Sequence, residues 1–187
     1  STGTPYATAE GLFVAQELGV EARRVTGVSV AVGATVVLPF LFNETFVIPR
    51  SCRIDGTIRG EQMIDNSGHM LGLSCGDIVL SSTSSVIARG TSNFPTIDVN
   101  FAARGDVLAL GNIDASGWSG VDPGPGGNVT ISAEARLYAG GAIRSLGGEG
   151  TENVGAVGGR VQLTGALGLS SEASIEAHGG STSASGL

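Results

Sequence analysis

The sequence predicts an all-β fold, a right-handed parallel β-helix in which short strands wind repeatedly around one axis. Three observations support this prediction: an internal repeat, an alternation of apolar and polar residues within each repeat copy, and an excess of glycine. Glycine supplies 31 of the 187 residues, more than twice the roughly 7% of an average protein. Such an excess suits a fold that turns a tight corner every few residues.

The internal repeat is clearest in the C-terminal part of the chain. Residues 126–148 align without a gap on residues 158–180, at a distance of 32 residues. An isoleucine anchors each copy, and Ile113 anchors a further copy 30 residues before Ile143. Ile58 and Ile87 are the expected anchors of two earlier, degraded copies. The apolar positions that coincide are Val99/Val129/Val161, Phe101/Ile131/Leu163, Val107/Leu137/Leu169 and Ile113/Ile143/Ile175.

Each copy alternates with period two, as Val129 and Ile131 do around Thr130. This alternation predicts a strand with one buried face. Between these strands there is no helical pattern, which a βαβ fold would need. An antiparallel sandwich is the alternative fold, and it explains the alternation but not an ungapped match over a whole copy. We therefore expect each coil to pair with the next at about 4.8 Å.

The residues beside the anchors predict how neighbouring coils meet. The residue after each anchor should point outward, which places Asp114, Arg144 and Glu176 in one ladder, with the arginine between two carboxylates. Opposite charges on neighbouring strands stabilise such a ladder. The next position faces inward at a corner and should hold small residues; it holds Ala115, Ser145 and Ala177.

The chain is expected to comprise an N-terminal cap over residues 1–50 and β-helix coils over residues 51–187. A cap is expected because the end of a solenoid exposes unpaired strand edges. It would contain a short helix over residues 8–19 and three strands, over 27–32, 34–40 and 45–48. The uncharged run over residues 25–43 predicts strands rather than a membrane-spanning helix, because it alternates and contains glycine and proline.

The C-terminal end has no comparable capping segment. A further coil or a neighbouring subunit is expected to cover it, and head-to-tail stacking of copies would produce filaments.

Charge and cysteine content narrow the classes of partner. The net charge is −7, and all ten cations are scattered arginines, so neither nucleic acid nor an anionic membrane surface is an expected partner. Cys52 and Cys75 are the only cysteines. They could form one disulfide, which would clamp two neighbouring coils in an exported protein, or remain two buried thiols.

Several segments resemble known β-helix proteins. Residues 34–39, 45–49 and 54–60 look like the opening of bacterial secreted right-handed β-helix proteins. The units at 143–148, 158–163 and 175–180 are similar to glycine-rich repeats in large surface proteins of Gram-negative bacteria. The resemblance implies an extracellular or cell-surface protein with an adhesive or scaffolding role. It also extends to pectate-lyase-like enzymes and phage tail spikes.

Catalytic and metal-binding patterns are weak. The aspartates are spread along the chain, and His69 and His178 lie far apart, so the clustered carboxylates of a glycoside-cleaving site are not evident. Residues 147–152 resemble a calcium-binding nonapeptide repeat, but glutamate replaces the aspartate. We expect no enzymatic activity and no cofactor, with calcium as the alternative ligand.

The long loops are the predicted binding surface. Residues 60–72, 89–97, 117–127 and 147–158 follow the same corner of each copy and should stack along one edge. The candidate glycan-binding residues there are Trp118, Asp122, Glu149, Glu152 and Asn153; alternatively, the tryptophan folds back over the corner. We therefore expect a non-catalytic structural or adhesive protein that stacks on itself or binds a surface glycan. The alternative function is a carbohydrate-active enzyme or a tail-spike-like glycan-binding module.

Overall fold

The computed structural model describes residues 27–39, 45–61, 69–91, 96–151 and 155–181. Within these ranges the chain forms seventeen β-strands and no helix. The helix expected over residues 8–19 lies outside the described residues. The strands are β1 (Val28–Val30), β2 (Thr35–Pro39), β3 (Phe46–Val47), β4 (Cys52–Ile54), β5 (Thr57–Glu61), β6 (Met70–Cys75), β7 (Ile78–Leu80), β8 (Ser85–Ile87), β9 (Asp98–Ala103), β10 (Val107–Ala109), β11 (Asn112–Asp114), β12 (Val129–Ala133), β13 (Arg136–Ala139), β14 (Ala142–Arg144), β15 (Val161–Gly165), β16 (Gly168–Ser171) and β17 (Ser174–Glu176).

Every strand pairs with the strand three places along the chain, and every pair is parallel. Sheet 1 has the order β1-β4-β7-β10-β13-β16, sheet 2 the order β2-β5-β8-β11-β14-β17, and sheet 3 the order β3-β6-β9-β12-β15. Each coil therefore adds one strand to each of three sheets. This architecture confirms the parallel β-solenoid and excludes the antiparallel sandwich, whereas the right-handed sense of the coil stays a prediction.

The register of the last coils is the one that the repeat predicts. Ile113 pairs with Ile143, and Ile143 pairs with Ile175. The other coinciding apolar positions are also in register along sheets 1 and 3. The corner residues Ala115 and Ser145 are fully buried, as expected for small inward-facing residues.

The predicted anchor Ile87 is wrong by one residue. Val86 pairs with Ile58 on one side and with Ile113 on the other, whereas Ile87 pairs with Asp114 on the outer face. Val86 is fully buried. Because successive side chains of a strand point to opposite faces, a shift of one residue exchanges inside and outside. Two adjacent β-branched residues made both registers compatible with the sequence.

The loops all occur at one of the three corners of the coil. The connections from sheet 1 to sheet 2, and from sheet 3 to sheet 1, contain at most four residues, whereas those from sheet 2 to sheet 3 carry the long insertions. At one tight corner, between β1 and β2, Gly33 adopts a positive φ of 78°, a conformation that glycine adopts without strain.

The strands expected in the cap belong to the solenoid. Strands β1, β2 and β3 pair in parallel with β4, β5 and β6 and form the first coil. The coils therefore begin upstream of residue 51.

A disulfide joins Cys52 in β4 to Cys75 in β6, with the Cα atoms 6.0 Å apart. Both residues are buried. Cys75 lies just before the corner that leads to Ile78, and Cys52 pairs with Ile78 in sheet 1. The bridge therefore spans one turn of the chain and joins two successive levels of the stack.

Candidate functional site

The last coil leaves the repeat's core positions uncovered. Leu137 is 2% exposed, but Leu169, which occupies the same position one coil later, is 51% exposed. Ile143 is 2% exposed and its successor Ile175 is 47% exposed. In the part of the chain that the structure describes, β15, β16 and β17 have a strand neighbour on one side only. We call this surface the C-terminal edge; it combines apolar side chains with strand backbone available for pairing.

The first coil differs from the last. Its inward-facing residues Val28, Val30, Val36, Leu38 and Phe46 are all buried. Strands β1, β2 and β3 also have a described strand neighbour on one side only, so the two ends differ in the exposure of their inward-facing positions and not in strand pairing.

The loops that follow β11 and β14 stack in register, as the sequence predicts. Gly120 and Gly150 form a parallel bridge. The Gly120 N–H donates to the carbonyl of Glu149 at 3.0 Å, and the Glu149 N–H donates to Ser119 Oγ at 3.0 Å. These bonds extend the coil-to-coil pairing from the sheets into the loops and form a continuous loop edge.

The loop edge brings together some of the predicted binding residues. Trp118 is 38% exposed, and its indole lies close over Gly120, where an added Cβ would come within 2.8 Å of Nε1. Asp122 and Glu149 are exposed on neighbouring loops. Glu152 and Asn153 lie outside the described residues. Trp118 therefore combines features of the two predicted arrangements. Its indole packs over its own loop, and part of the ring stays exposed to solvent, where a ligand could contact it.

The outward ladder on sheet 2 has the predicted register but a different set of ion pairs. Asp114 pairs with Arg144, and Arg144 with Glu176, as neighbouring residues in the sheet. Arg144 binds Glu176 at 3.1 Å, whereas Asp114 binds Arg89, at 2.6 Å. Burial raises the pKa of Asp114, but hydrogen bonds from Ser116 and Arg89 outweigh it and hold the pKa below its usual range.

A second feature, which the sequence analysis missed, is a side-chain ladder at the start of sheet 3. Asp98 Oδ1 accepts the Asn128 N–H at 2.7 Å, and Asn128 Oδ1 accepts the Arg160 N–H at 3.2 Å. Each side chain thereby satisfies a backbone donor of the next coil, which holds the coils in register. The recurrence of Asp or Asn 30 residues apart was the available signal.

An equivalent ladder lies at the corner before sheet 1. Asp77 Oδ1 accepts the Asp106 N–H at 2.9 Å, and Asp106 Oδ1 accepts the Arg136 N–H at 3.0 Å. Arg136 also binds Asp106 through its guanidinium, at 2.9 Å. The side-chain and backbone hydrogen bonds from Arg136 lower the pKa of Asp106. Aspartates that looked unassigned in the sequence therefore have structural partners.

The described ranges contain no cluster of three or more His, Cys, Asp or Glu side chains that could hold a metal ion. Glu152, part of the calcium-like segment, is outside these ranges, so calcium binding stays a prediction. No helix among the described residues is long and apolar enough to cross a membrane.

Comparisons with protein-family models, with curated proteins and with solved structures find no match to this chain.

Proposed function

We propose that the protein is a non-catalytic structural solenoid of the bacterial exterior that associates with a second copy of itself through the C-terminal edge. The observation that carries the proposal is the contrast between coils: the same repeat positions are buried in one coil and about half exposed in the last. A second copy is the proposed occupant because its own C-terminal edge offers matching apolar positions and matching unpaired strands; a further coil is the alternative occupant.

Energetics favour covering this edge. Full burial of a leucine or isoleucine side chain contributes about 1.5–3 kcal/mol, and Leu169 and Ile175 each have roughly half of that burial still to gain. Val161 and Leu163 are only partly buried and belong to the same surface. Pairing of β15 to β17 with strands of a second copy would also satisfy their outer backbone groups.

Charge does not oppose this association. Glu176 is neutralised by Arg144 of its own sheet, and Arg160 offsets Glu172 among the exposed residues of the last coil. Two like edges can therefore approach without a strong net repulsion.

The burial of the first coil supports a closed pair of C-terminal edges over a head-to-tail filament. A filament needs two different complementary ends that are both uncovered, and the inward-facing side chains of β1 to β3 are buried. An isologous pair uses the C-terminal edge of each copy and leaves the first coils at the outside.

A location outside the cytoplasm is supported by the disulfide. Both cysteines of the chain are used in it, and such bridges persist in oxidising compartments. The resemblance to bacterial surface repeats agrees with this location.

The absence of catalysis is also a proposal, supported by the carboxylates. Hydrogen bonds from arginines dominate the lowering of the pKa values of Asp55 and Asp106, and Ser116 and Arg89 offset the burial of Asp114. A general acid for glycoside cleavage needs the opposite, a raised pKa. Release of reducing sugars from any polysaccharide tested would contradict this part of the proposal.

Measurement of the solution mass by analytical ultracentrifugation tests self-association. We expect wild type to sediment as a dimer, and Ile175→Arg and Leu169→Gln to sediment as monomers, because each places a polar group in the contact. Val47→Arg is the matched control: it also replaces an exposed apolar strand residue, but in the first coil, and should leave the dimer intact. Circular dichroism checks that each variant is folded.

A wild-type monomer at all accessible concentrations would overturn the proposal. A mass that keeps growing with concentration, with fibres in electron micrographs, would retain self-association and replace the closed pair by a filament.

A further inference from the structure

A groove runs along the outer face of sheet 1, near the C-terminal edge but on the side of the solenoid. Tyr138 in β13 is in register with Ser170 in β16, and Arg136 with Gly168. Large outward side chains in one coil are thus followed by small ones in the next. The resulting open groove has a volume of about 460 Å³, within the range of small-ligand sites.

Tyr138 is held in place as the aromatic wall of this groove. Its hydroxyl donates to Glu172 Oε2 at 3.0 Å, and a Cβ added at Gly140 would lie 3.0 Å from its ring atom Cε1. The hydrogen bond with Glu172 raises the pKa of Tyr138 above its usual range. A ring fixed in this way loses little conformational freedom when a ligand stacks on it.

Planar polar groups flank the ring. The Arg136 guanidinium donates through Nη2 to Asp106 Oδ2 at 2.9 Å and through Nε to Asp106 Oδ1 at 3.3 Å. Both side chains are exposed and line the groove. The lining itself holds one cation and one anion, and Glu172 adds a second anion beside the groove through its hydrogen bond with Tyr138.

We infer that this groove binds a neutral oligosaccharide, with one pyranose ring stacked on Tyr138. The C–H face of a pyranose is apolar and suits an aromatic ring, while its hydroxyls can bond to a carboxylate and a guanidinium. The excess negative charge disfavours uronates and sialylated sugars. The groove lies on the side of the solenoid, but Leu169 belongs both to its lining and to the C-terminal edge, so the two proposals are tested separately. The inference places the glycan site on sheet 1 instead of the loop edge around Trp118.

Isothermal titration calorimetry with cellotetraose, mannotetraose, maltotetraose and tetragalacturonate tests the inference. We expect at least one neutral tetrasaccharide to bind and tetragalacturonate to bind more weakly or not at all. Tyr138→Ala should weaken binding about tenfold or more, because the stacking contact is lost, and Tyr138→Phe should weaken it only a few-fold.

Gly168→Gln provides a second variant that does not depend on removing the ring. A Cβ at Gly168 meets only Arg136 Cγ, at 4.0 Å, so the added side chain can fill the groove without disturbing the core. It should abolish binding while leaving the melting temperature unchanged. Trp118→Ala is the matched aromatic control and should bind like wild type.

The titrations are repeated with the Ile175→Arg variant, which is expected to be monomeric. Failure of the glycan-binding inference can then be distinguished from failure of the self-association proposal. Absence of binding by all three neutral sugars would overturn the inference. So would binding that survives Tyr138→Ala and Gly168→Gln, loss of binding in Trp118→Ala, or a preference for tetragalacturonate.

Discussion

At the scale of single residues, Asp114 shows how outward side chains tie the coils together. The sequence predicted its place in a ladder with Arg144 and Glu176, and the register confirms that place. Its ion-pair partner was not predictable, because Arg89 reaches it from the loop side of the preceding coil. A long arginine side chain can select among several carboxylates at similar distances, and the repeat pattern fixes only backbone neighbours.

Asp114 should make stability depend on pH. Its pKa is lowered in the folded protein, so its contribution is fully present above the unfolded value of about 3.9 and is lost as the pH falls through the folded value. We expect Asp114→Asn to lower the free energy of unfolding by about 1 kcal/mol at pH 7. The difference from wild type should shrink towards zero at the lowest pH, as measured by urea denaturation.

The exposed Asp122 provides the control for this prediction. Asp122→Asn should leave the unfolding free energy unchanged at pH 7. An Asp114→Asn variant that equals wild type at pH 7, or differs from it equally at every pH, would contradict the role of this carboxylate.

At the scale of elements, the repeat predicted strands well where the copies align without gaps and less well upstream. Strands β9 to β17 follow the ungapped pattern, and their register was correct. Before residue 98 the loops vary in length, so the spacing no longer distinguishes Val86 from Ile87. Only burial against the neighbouring coils decides which of the two adjacent β-branched residues faces inward.

This register predicts opposite sensitivities for the two neighbours in β8. Val86→Ala removes fully buried methyl groups and should lower the free energy of unfolding by about 2 kcal/mol. Ile87→Ala acts on the outer face and should cost well under half of that. Thermal melts of the two variants measure the difference. Equal losses of stability, or a larger loss for Ile87→Ala, would contradict the assignment of Val86 to the inward position.

The groove on sheet 1 and the side-chain ladders also belong to this scale. The sequence places Tyr138 and Ser170 at equivalent repeat positions, so the step from a large to a small side chain was visible. The groove itself could not be predicted from the sequence, because it also depends on how the neighbouring side chains Arg136 and Leu108 are placed around it. The loop edge, by contrast, was predicted from insertion positions alone.

At the scale of the whole molecule, the proposed self-association rests on the difference in exposure between the first and the last described coils. A further coil or a neighbouring subunit was expected over the last coil, and Leu169 and Ile175 are about half exposed there. A cap was expected over the first coil, and the inward-facing side chains of that coil are buried. That asymmetry is the reason for proposing a closed pair.

Crosslinking between neighbouring coils tests the stacked parallel register on which every argument above depends. Thr130 in β12 and Gln162 in β15 are paired outward-facing residues. The Cα atoms of residues paired on neighbouring strands, which lie about 4.8 Å apart, are within the range of a disulfide. We expect the double variant Thr130→Cys/Gln162→Cys to form a second disulfide under mild oxidation, detected by mass spectrometry of proteolytic peptides. Thr130→Cys/Thr164→Cys, shifted by two residues, should remain reduced; a bridge in the shifted pair and none in the aligned pair would contradict the register.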